Sequence, residues 1–168
     1  LNTTDSVYSK VIPVEYPKVG EAPSPVRIGV VILAGGFIRW MNIPGDPQQH
    51  YIPRMEWSAA NELVVQQLDR KQQESKLMYC KTNDGSTYTF WAEDDDAWVD
   101  LNTDNPAGWN WINNRQEFLW VSEKDGWRHI YKISRDGKTI SLLTKGNYDI
   151  GKIVSVDEAS NFLYFTAS

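Results

Sequence analysis

Residues 55–65, MEWSAANELVV, show the local pattern on which the chain is built: a short strand, a polar turn and a longer apolar strand. The same layout returns at residues 110–120, NWINNRQEFLW, and at residues 155–165, SVDEASNFLYF. The tryptophan of the first copy and its equivalents in the other two recur at intervals of 54 and 45 residues. Intervals of roughly 40–50 residues are typical of the blades of a β-propeller. The repeat therefore predicts propeller blades.

Each of the first two copies continues with two more predicted strands joined by an Asp-Gly turn. They are residues 76–81 and 87–91 around Asp84-Gly85, and residues 129–134 and 139–144 around Asp136-Gly137. Asp-Gly adopts positive φ at little cost, so it is a strong short-range hairpin signal. Four strands per copy correspond to one blade.

We predict an all-β chain forming a segment of a β-propeller, with about three four-stranded antiparallel blades and almost no helix. Residues 61–71 are the one helical candidate, but Val64 and Val65 lie at their centre and the apolar spacing is not helical, which favours a strand. About three blades are fewer than the roughly 4–8 that close a propeller. We therefore expect apolar faces at both ends, covered by the rest of a larger propeller or by another copy.

The predicted organisation begins with an extended arm, residues 1–25, which hold four of the eight prolines. Its apolar residues either lie along the domain or reach toward a partner. After the arm we expect the outer hairpin of a blade plus a linker at residues 26–50. Complete blades follow at residues 51–100 and 101–150, and the first strands of a further blade at residues 151–168.

Composition excludes several classes of function. The chain has 17 Lys+Arg against 22 Asp+Glu, and the net charge of −5 argues against a nucleic-acid partner. No apolar run approaches the roughly 18–20 residues of a membrane segment. A single cysteine, Cys80, excludes an internal disulfide and any multi-cysteine metal site. We predict no metal and no cofactor.

Motifs for catalysis are absent from the sequence. No serine has the Gly-x-Ser-x-Gly frame of a nucleophile elbow, and the phosphate-binding glycine loops and His-Glu-x-x-His are missing. The acidic run at residues 93–96 lacks the spacing of an EF-hand, so we interpret it as a solvated loop between blades.

Residues 122–129, SEKDGWRH, form the densest polar cluster. We interpret them as a turn in which Arg128 pairs with Glu123 or Asp125; the alternative is that Arg128 and His129 face a ligand. Tryptophans such as Trp57, Trp98, Trp111 and Trp120 are expected mostly in the core between sheets, the alternative being stacking on sugars or peptides.

Three strings carry a resemblance to a known family. Residues 16–26, YPKVGEAPSPV, with the strand that follows at 27–33, and residues 125–131, DGWRHIY, resemble the N-terminal β-propeller of the dipeptidyl peptidase IV family, among the prolyl oligopeptidases. Residues 50–57, HYIPRMEW, are similar to its bacterial members. The resemblance implies an eight-bladed propeller capping an α/β-hydrolase domain. It also implies a serine exopeptidase that removes X-Pro or X-Ala dipeptides from peptide N-termini.

The resemblance implies that this chain holds no catalytic residue. The family's Ser-Asp-His triad belongs to the hydrolase domain, and its Glu-Glu pair lies upstream of the Tyr-Pro-Lys motif; residues 1–10 contain no such pair. Members carry Arg-Phe-Arg after a Trp-Val, lining the substrate subsites. Here Trp98-Val99 is followed by Asp100-Leu101-Asn102 instead, a departure. The candidate substrate-lining residues are Trp98, Asp100, Leu101 and Asn102.

The family's Tyr-Pro-Lys region projects into a dimer contact, so the resemblance also implies a dimer arm. The candidate arm residues are Val11, Ile12, Val14 and Tyr16.

Two hypotheses follow for function. The first is a non-catalytic propeller segment of a dipeptidyl peptidase IV-like serine exopeptidase that gates peptide entry and supports homodimerisation. Its partners are the rest of the parent peptidase, a second copy and the peptide substrate. By the resemblance, the location is periplasmic or extracytoplasmic. The second is a stand-alone propeller-like module that binds peptide or carbohydrate through exposed aromatic side chains.

Overall fold

The structure is a computed structural model that describes residues 7–9, 11–16, 18–101 and 109–168. Within these ranges the chain forms β-strands and no helix, so no described helix can cross a membrane. The prediction of an all-β chain is confirmed. The strands are β1 (Gly29–Val31), β2 (Ile38–Trp40), β3 (His50–Ala59), β4 (Glu62–Asp69), β5 (Glu74–Lys81), β6 (Thr87–Asp94), β7 (Asn110–Ile112), β8 (Glu117–Ser122), β9 (His129–Ser134), β10 (Ile140–Leu142), β11 (Ile150–Asp157) and β12 (Phe162–Ala167).

The strands form antiparallel sheets whose order follows the sequence. Strands β3–β6 and β7–β10 each make a four-stranded sheet, and β1–β2 and β11–β12 are two-stranded. Residues 61–71, the one helical candidate, contain strand β4. Val64 and Val65 are both fully buried there, because β4 is a central strand and a different sheet covers each of its two faces.

Successive sheets pack face to face. One face of the β3–β6 sheet covers β1–β2 with Leu63, Val65, Met78 and Cys80. Its other face meets the β7–β10 sheet through Val64, Leu77, Tyr79 and Trp91. The β7–β10 sheet in turn covers β11–β12 with Leu119, Val121 and Ile130, which pack against Ile150 of β11. The chain is thus a stack of sheets with a separate apolar cluster at each junction.

The two Asp-Gly turns also join neighbouring sheets. Gly85 and Gly137 have φ of 78° and 74°, the left-handed conformation that the sequence predicts. A Cβ on Gly137 would lie 1.8 Å from the carbonyl oxygen of Phe90 in β6, and one on Gly85 would lie 2.5 Å from that of Trp40 in β2. Each turn therefore presses on the last strand of the sheet before it, and only glycine leaves room for this approach.

Glu93 links the same two sheets at the end of β6. Its carboxylate accepts hydrogen bonds from the Trp120 indole N–H at 2.5 Å and from the Ser122 hydroxyl. Burial raises the pKa of Glu93, and these two bonds and Lys124 only partly oppose the rise. The interpretation of residues 93–96 as a solvated loop is wrong for the first two, because Glu93 and Asp94 belong to β6.

The expectation that tryptophans lie mostly between sheets holds for some positions and is wrong for others. Trp120 is buried and Trp111 packs on the same cluster. Trp57 and Trp98 are instead 49% and 55% exposed. Trp57 lies on the face of β3 turned toward a sheet of only two strands, which leaves it half exposed. Trp98 lies in the linker after β6, outside the sheets.

Both ends of the stack expose apolar side chains, as expected for an open stack. On the outer face of β1–β2 these are Val31, Ile38 and Trp40, and on that of β11–β12 they are Val154, Phe162 and Tyr164.

We predict that Gly137→Ala destabilises the chain by about 3 kcal/mol, because it adds a clash with Phe90 to the strain of left-handed backbone. The matched control is Gly36→Ala. Gly36 has a φ of 70° and open space around its Cβ position, so the loss there should be about 1 kcal/mol. Urea unfolding measures both. Equal losses would show that the contact between turn and strand contributes nothing.

We also predict that Glu93→Gln flattens the dependence of stability on pH. Folding raises the pKa of Glu93, so the protonated carboxyl stabilises the folded state. This contribution to the free energy of unfolding is complete below the unfolded-state pKa of about 4.3, and it is lost as pH rises through the raised pKa of the folded state. A glutamine side chain can keep one hydrogen bond to Trp120 and one to Ser122, but it does not titrate. Urea unfolding between about pH 4 and 8 tests this, with Glu123→Gln on the exposed turn as control. An unchanged profile in Glu93→Gln would contradict the assignment.

Candidate functional site

One side of the stack, called here the loop face, is built from the β4–β5 and β8–β9 turns and the linkers that leave β6 and β10. The linker after β6 is tied to the β4–β5 turn, since Val99 N–H donates to Gln72 O at 2.8 Å and Asp95 N–H to Gln73 O at 2.9 Å. Arg128, at the end of the β8–β9 turn, reaches the same linker from the next sheet. The loop face therefore presents side chains from two sheets at one place.

A narrow cleft of about 10 Å³ lies between that linker and the β8–β9 turn, and Trp98 and Asp100 line it with Arg128. The Arg128 guanidinium is 3.8 Å from Asp100 and donates to the carbonyl oxygens of Ile150 and Gly151 at 3.0 and 2.7 Å. The predicted pairing of Arg128 with Glu123 or Asp125 is wrong. Arg128 instead contacts residues from the sheets on either side of its own. The sequence of residues 122–129 contains no information on these partners, because they lie elsewhere in the chain.

Trp98 is held outward by the turn that precedes it. The Asp95 carboxylate accepts the backbone N–H groups of Trp98 and Ala97 at 3.0 and 2.7 Å, and these two bonds lower the pKa of Asp95. Glu93 therefore bonds to the next sheet, whereas residues 94–96 are exposed and Asp95 is used in local hydrogen bonding. Among the described residues, no group of three or more acidic, histidine or cysteine side chains could hold a metal ion.

His129 fastens the β8–β9 turn to the linker after β10. The ring is 2% exposed, with Nδ1 2.9 Å from Asp125 and Nε2 3.1 Å from the Gly146 carbonyl. Burial alone would raise the pKa of Asp125, but hydrogen bonding to His129 and to the Trp127 N–H lowers it overall. The ring is enclosed by its partners, so His129 acts as a brace for the turn.

The remaining predicted lining residues fall elsewhere. Leu101 borders a separate cavity of about 360 Å³ with Pro53, Leu68 and Tyr51, where the Arg70 guanidinium lies 4.2 Å above the Tyr51 ring. Asn102 lies outside the described residues. The structure therefore brings Trp98 and Asp100 into one cleft and places Leu101 in another.

The candidate arm residues Val11, Ile12, Val14 and Tyr16 belong to none of the described sheets. They are between 55% and 82% exposed. An extended apolar segment with this exposure is available to a partner surface.

Among the described residues, no serine or cysteine is paired with a histidine. His50 contacts Gln67, and His129 contacts Asp125 and Gly146, so neither described histidine is hydrogen-bonded to a serine or cysteine. Burial raises the pKa of the Cys80 thiol to about 12, which keeps it protonated and unreactive.

Comparisons with known proteins agree with this architecture. The whole chain, residues 1–168, matches the family described as Dipeptidyl peptidase IV (DPP IV) N-terminal region. A probable dipeptidyl peptidase 4 of Emericella nidulans is 25% identical over 96% of the chain and 22% of its own length. The inactive dipeptidyl peptidase 10 of Rattus norvegicus is 27% identical over 98% of the chain and 22% of its own length.

Among solved structures, dipeptidyl peptidase 4 of Porphyromonas gingivalis superposes with a TM-score of 0.83 and 29% identity. That match covers 98% of this chain and 23% of the other, so the chain spans about a fifth of the length of these relatives. The likeness confirms the prediction of a partial propeller. The chain belongs to the dipeptidyl peptidase IV N-terminal region family.

Proposed function

We propose that this chain is a non-catalytic propeller segment of a longer dipeptidyl peptidase IV-like serine exopeptidase, which removes X-Pro or X-Ala dipeptides from peptide N-termini. Family membership over the whole chain supports the proposal. The absence of a serine or cysteine paired with a histidine among the described residues supports a non-catalytic role. By the same family membership we propose a periplasmic or extracytoplasmic location, which cell fractionation can test.

The observation that carries a role in substrate entry is the cleft on the loop face. Trp98 and Asp100 come from a linker and Arg128 from a turn of the next sheet. Arg128 pairs with Asp100 and donates to the carbonyl oxygens of Ile150 and Gly151. Loops positioned by a rigid sheet framework are where proteins present binding groups. An exposed indole with charged neighbours suits contact with an extended peptide beyond the two residues that are removed.

The arm supports a second part of the proposal, homodimerisation. Val11, Val14 and Tyr16 are each about four-fifths exposed, and the arm they share belongs to none of the described sheets. Exposed apolar side chains of this kind are stabilised by burial against another surface.

We predict that the 168-residue chain does not hydrolyse Gly-Pro-p-nitroanilide, whereas the longer protein does. In the longer protein, Trp98→Ala should raise KM for a peptide of six or more residues roughly fivefold, the equivalent of about 1 kcal/mol of aromatic contact. KM for Gly-Pro-p-nitroanilide should not change. Trp127→Ala, an exposed tryptophan on the same face but outside the cleft, is the control. Hydrolysis by the chain itself would overturn the non-catalytic assignment, and equal effects on both substrates would overturn the role of the cleft.

We further predict that Val14→Asp combined with Tyr16→Asp weakens dimerisation of the longer protein at least tenfold, because a buried apolar contact would become charged. Glu15→Gln, in the same segment, should have little effect. Sedimentation velocity over a concentration series measures the dissociation constant. A dimer of unchanged affinity would exclude the arm. A closed, stable monomer of the 168-residue chain would favour a stand-alone binding module.

A further inference from the structure

A second cavity lies where three sheets converge. Strands β3, β7 and β11 are the first strands of successive sheets, and all three contribute to one cavity of about 640 Å³. Strands from three sheets can border one space only at the edge where the sheets approach one another, which in a propeller is the edge along the central channel. We call this space the inner cavity. Its polar lining comprises Glu56, Asn110, Asn114, Arg115 and Glu158, with Trp111 beside them.

Glu56 is a half-buried carboxylate without an ion-pair partner in the described chain. It points from β3 toward β7, because it lies opposite Val64 on the face that meets the β7–β10 sheet. Burial raises the pKa of Glu56, while the Trp111 indole and the Arg115 charge oppose the rise. No described lysine, arginine or histidine forms a salt bridge with it. A carboxylate in this state is stabilised by a cation that enters the cavity.

Arg115 does not serve as that cation, because its guanidinium is used elsewhere. Nη1 donates to the carbonyl oxygens of Trp57 and Ser58 at 3.2 and 3.0 Å, which ties the β7–β8 turn to the preceding sheet. The Trp111 indole N–H faces Glu56, and its hydrogen bonding lowers the pKa of that carboxylate. The indole is neutral, so it leaves the charge of Glu56 without a paired cation among the described residues.

The rim of the inner cavity is a strained turn held from both sides. Asn113, Asn114 and Arg115 have φ of 49°, 51° and 61°, three consecutive left-handed residues without a glycine. Such a conformation persists only where contacts impose it. Arg115 holds the turn to the sheet before it, and Glu158 holds it to the strand pair after it by accepting the Asn113 N–H at 2.6 Å. The Glu158 contact uses one carboxylate oxygen, so a second acidic group stays at the rim.

We propose that the inner cavity binds an ammonium group of a peptide, with Glu56 as its ion-pair partner. The peptide nature of the ligand rests on the proposed function; the charge of the ligand rests on the cavity itself. The net charge of −5 attracts cations to the chain as a whole. The volume of about 640 Å³ accommodates a lysine side chain with part of its backbone. In the longer protein, this site would favour peptides with a positive charge.

Binding to the 168-residue chain tests the proposal without any hydrolysis. The probes are acetyl-Ala-Ala-Lys-Ala-Ala-amide, the same peptide with norleucine in place of lysine, and pentaalanine amide with a free amino terminus. We expect the lysine peptide to bind at least tenfold more tightly than the norleucine peptide, and its affinity to fall with added salt. The free-terminus peptide distinguishes a terminal ammonium from a side-chain ammonium.

Glu56→Gln should abolish the preference for the charged peptides, whereas Glu74→Gln, an exposed carboxylate paired with Lys76, should not change it. Urea unfolding of Glu56→Gln should show a stability at least equal to that of the parent chain, because the substitution removes a charge that is costly to bury. Equal binding of the lysine and norleucine peptides would overturn the proposal, as would an unchanged preference in Glu56→Gln. Either result leaves the test of hydrolysis by the longer protein unaffected.

Discussion

The structure depends on the aromatic contact between the β3–β6 and β7–β10 sheets. Tyr79 stacks on Phe90 with ring centroids 4.0 Å apart, and Phe90 meets Phe118 edge-on at 5.9 Å. Trp111 adds a further edge contact with Phe118 at 5.6 Å. Burying each large apolar side chain contributes roughly 1.5–3 kcal/mol, so this cluster sets the distance and angle between the two sheets. The loop face and the inner cavity take their shape from that geometry.

A charged group closes this apolar junction. Arg135 forms an ion pair with Glu62 at 2.5 Å and accepts the Tyr79 hydroxyl at its carbonyl oxygen at 2.9 Å. Its guanidinium lies 5.0 Å from the Tyr79 ring and 5.3 Å from that of Trp111. The hydrogen bonds and stacking satisfy both the donors and the planar face of the arginine, which lysine could not do. Glu93 and the Gly137 turn add polar and steric contacts between the same sheets, so the junction is specific as well as apolar.

Much of the fold could be predicted because its signals are local. Strand β4 follows from a run of β-branched residues, and the Asp-Gly turns follow from the conformational freedom of glycine. The prediction of a solvated acidic run was wrong at Glu93, and the predicted partners of Arg128 were wrong, because both residues contact a neighbouring sheet. Exposure of Trp57 and Trp98 was missed for a related reason. Burial of a tryptophan depends on whether a sheet lies opposite it, which residue type does not reveal.

The all-β class, the repeat, the hairpin turns and the resemblance to the dipeptidyl peptidase IV family all follow from the order of residues alone. Each of these depends on residues near one another in the chain or on a repeated order of residues. The packing of the sheets brings Trp98, Asp100 and Arg128 into one cleft, and it places Glu56 beside Trp111 at the edge where the sheets converge. These groups come from different sheets and lie up to 55 residues apart in the chain. Their distances are set by how one sheet packs on the next, a property that spacing along the sequence does not contain.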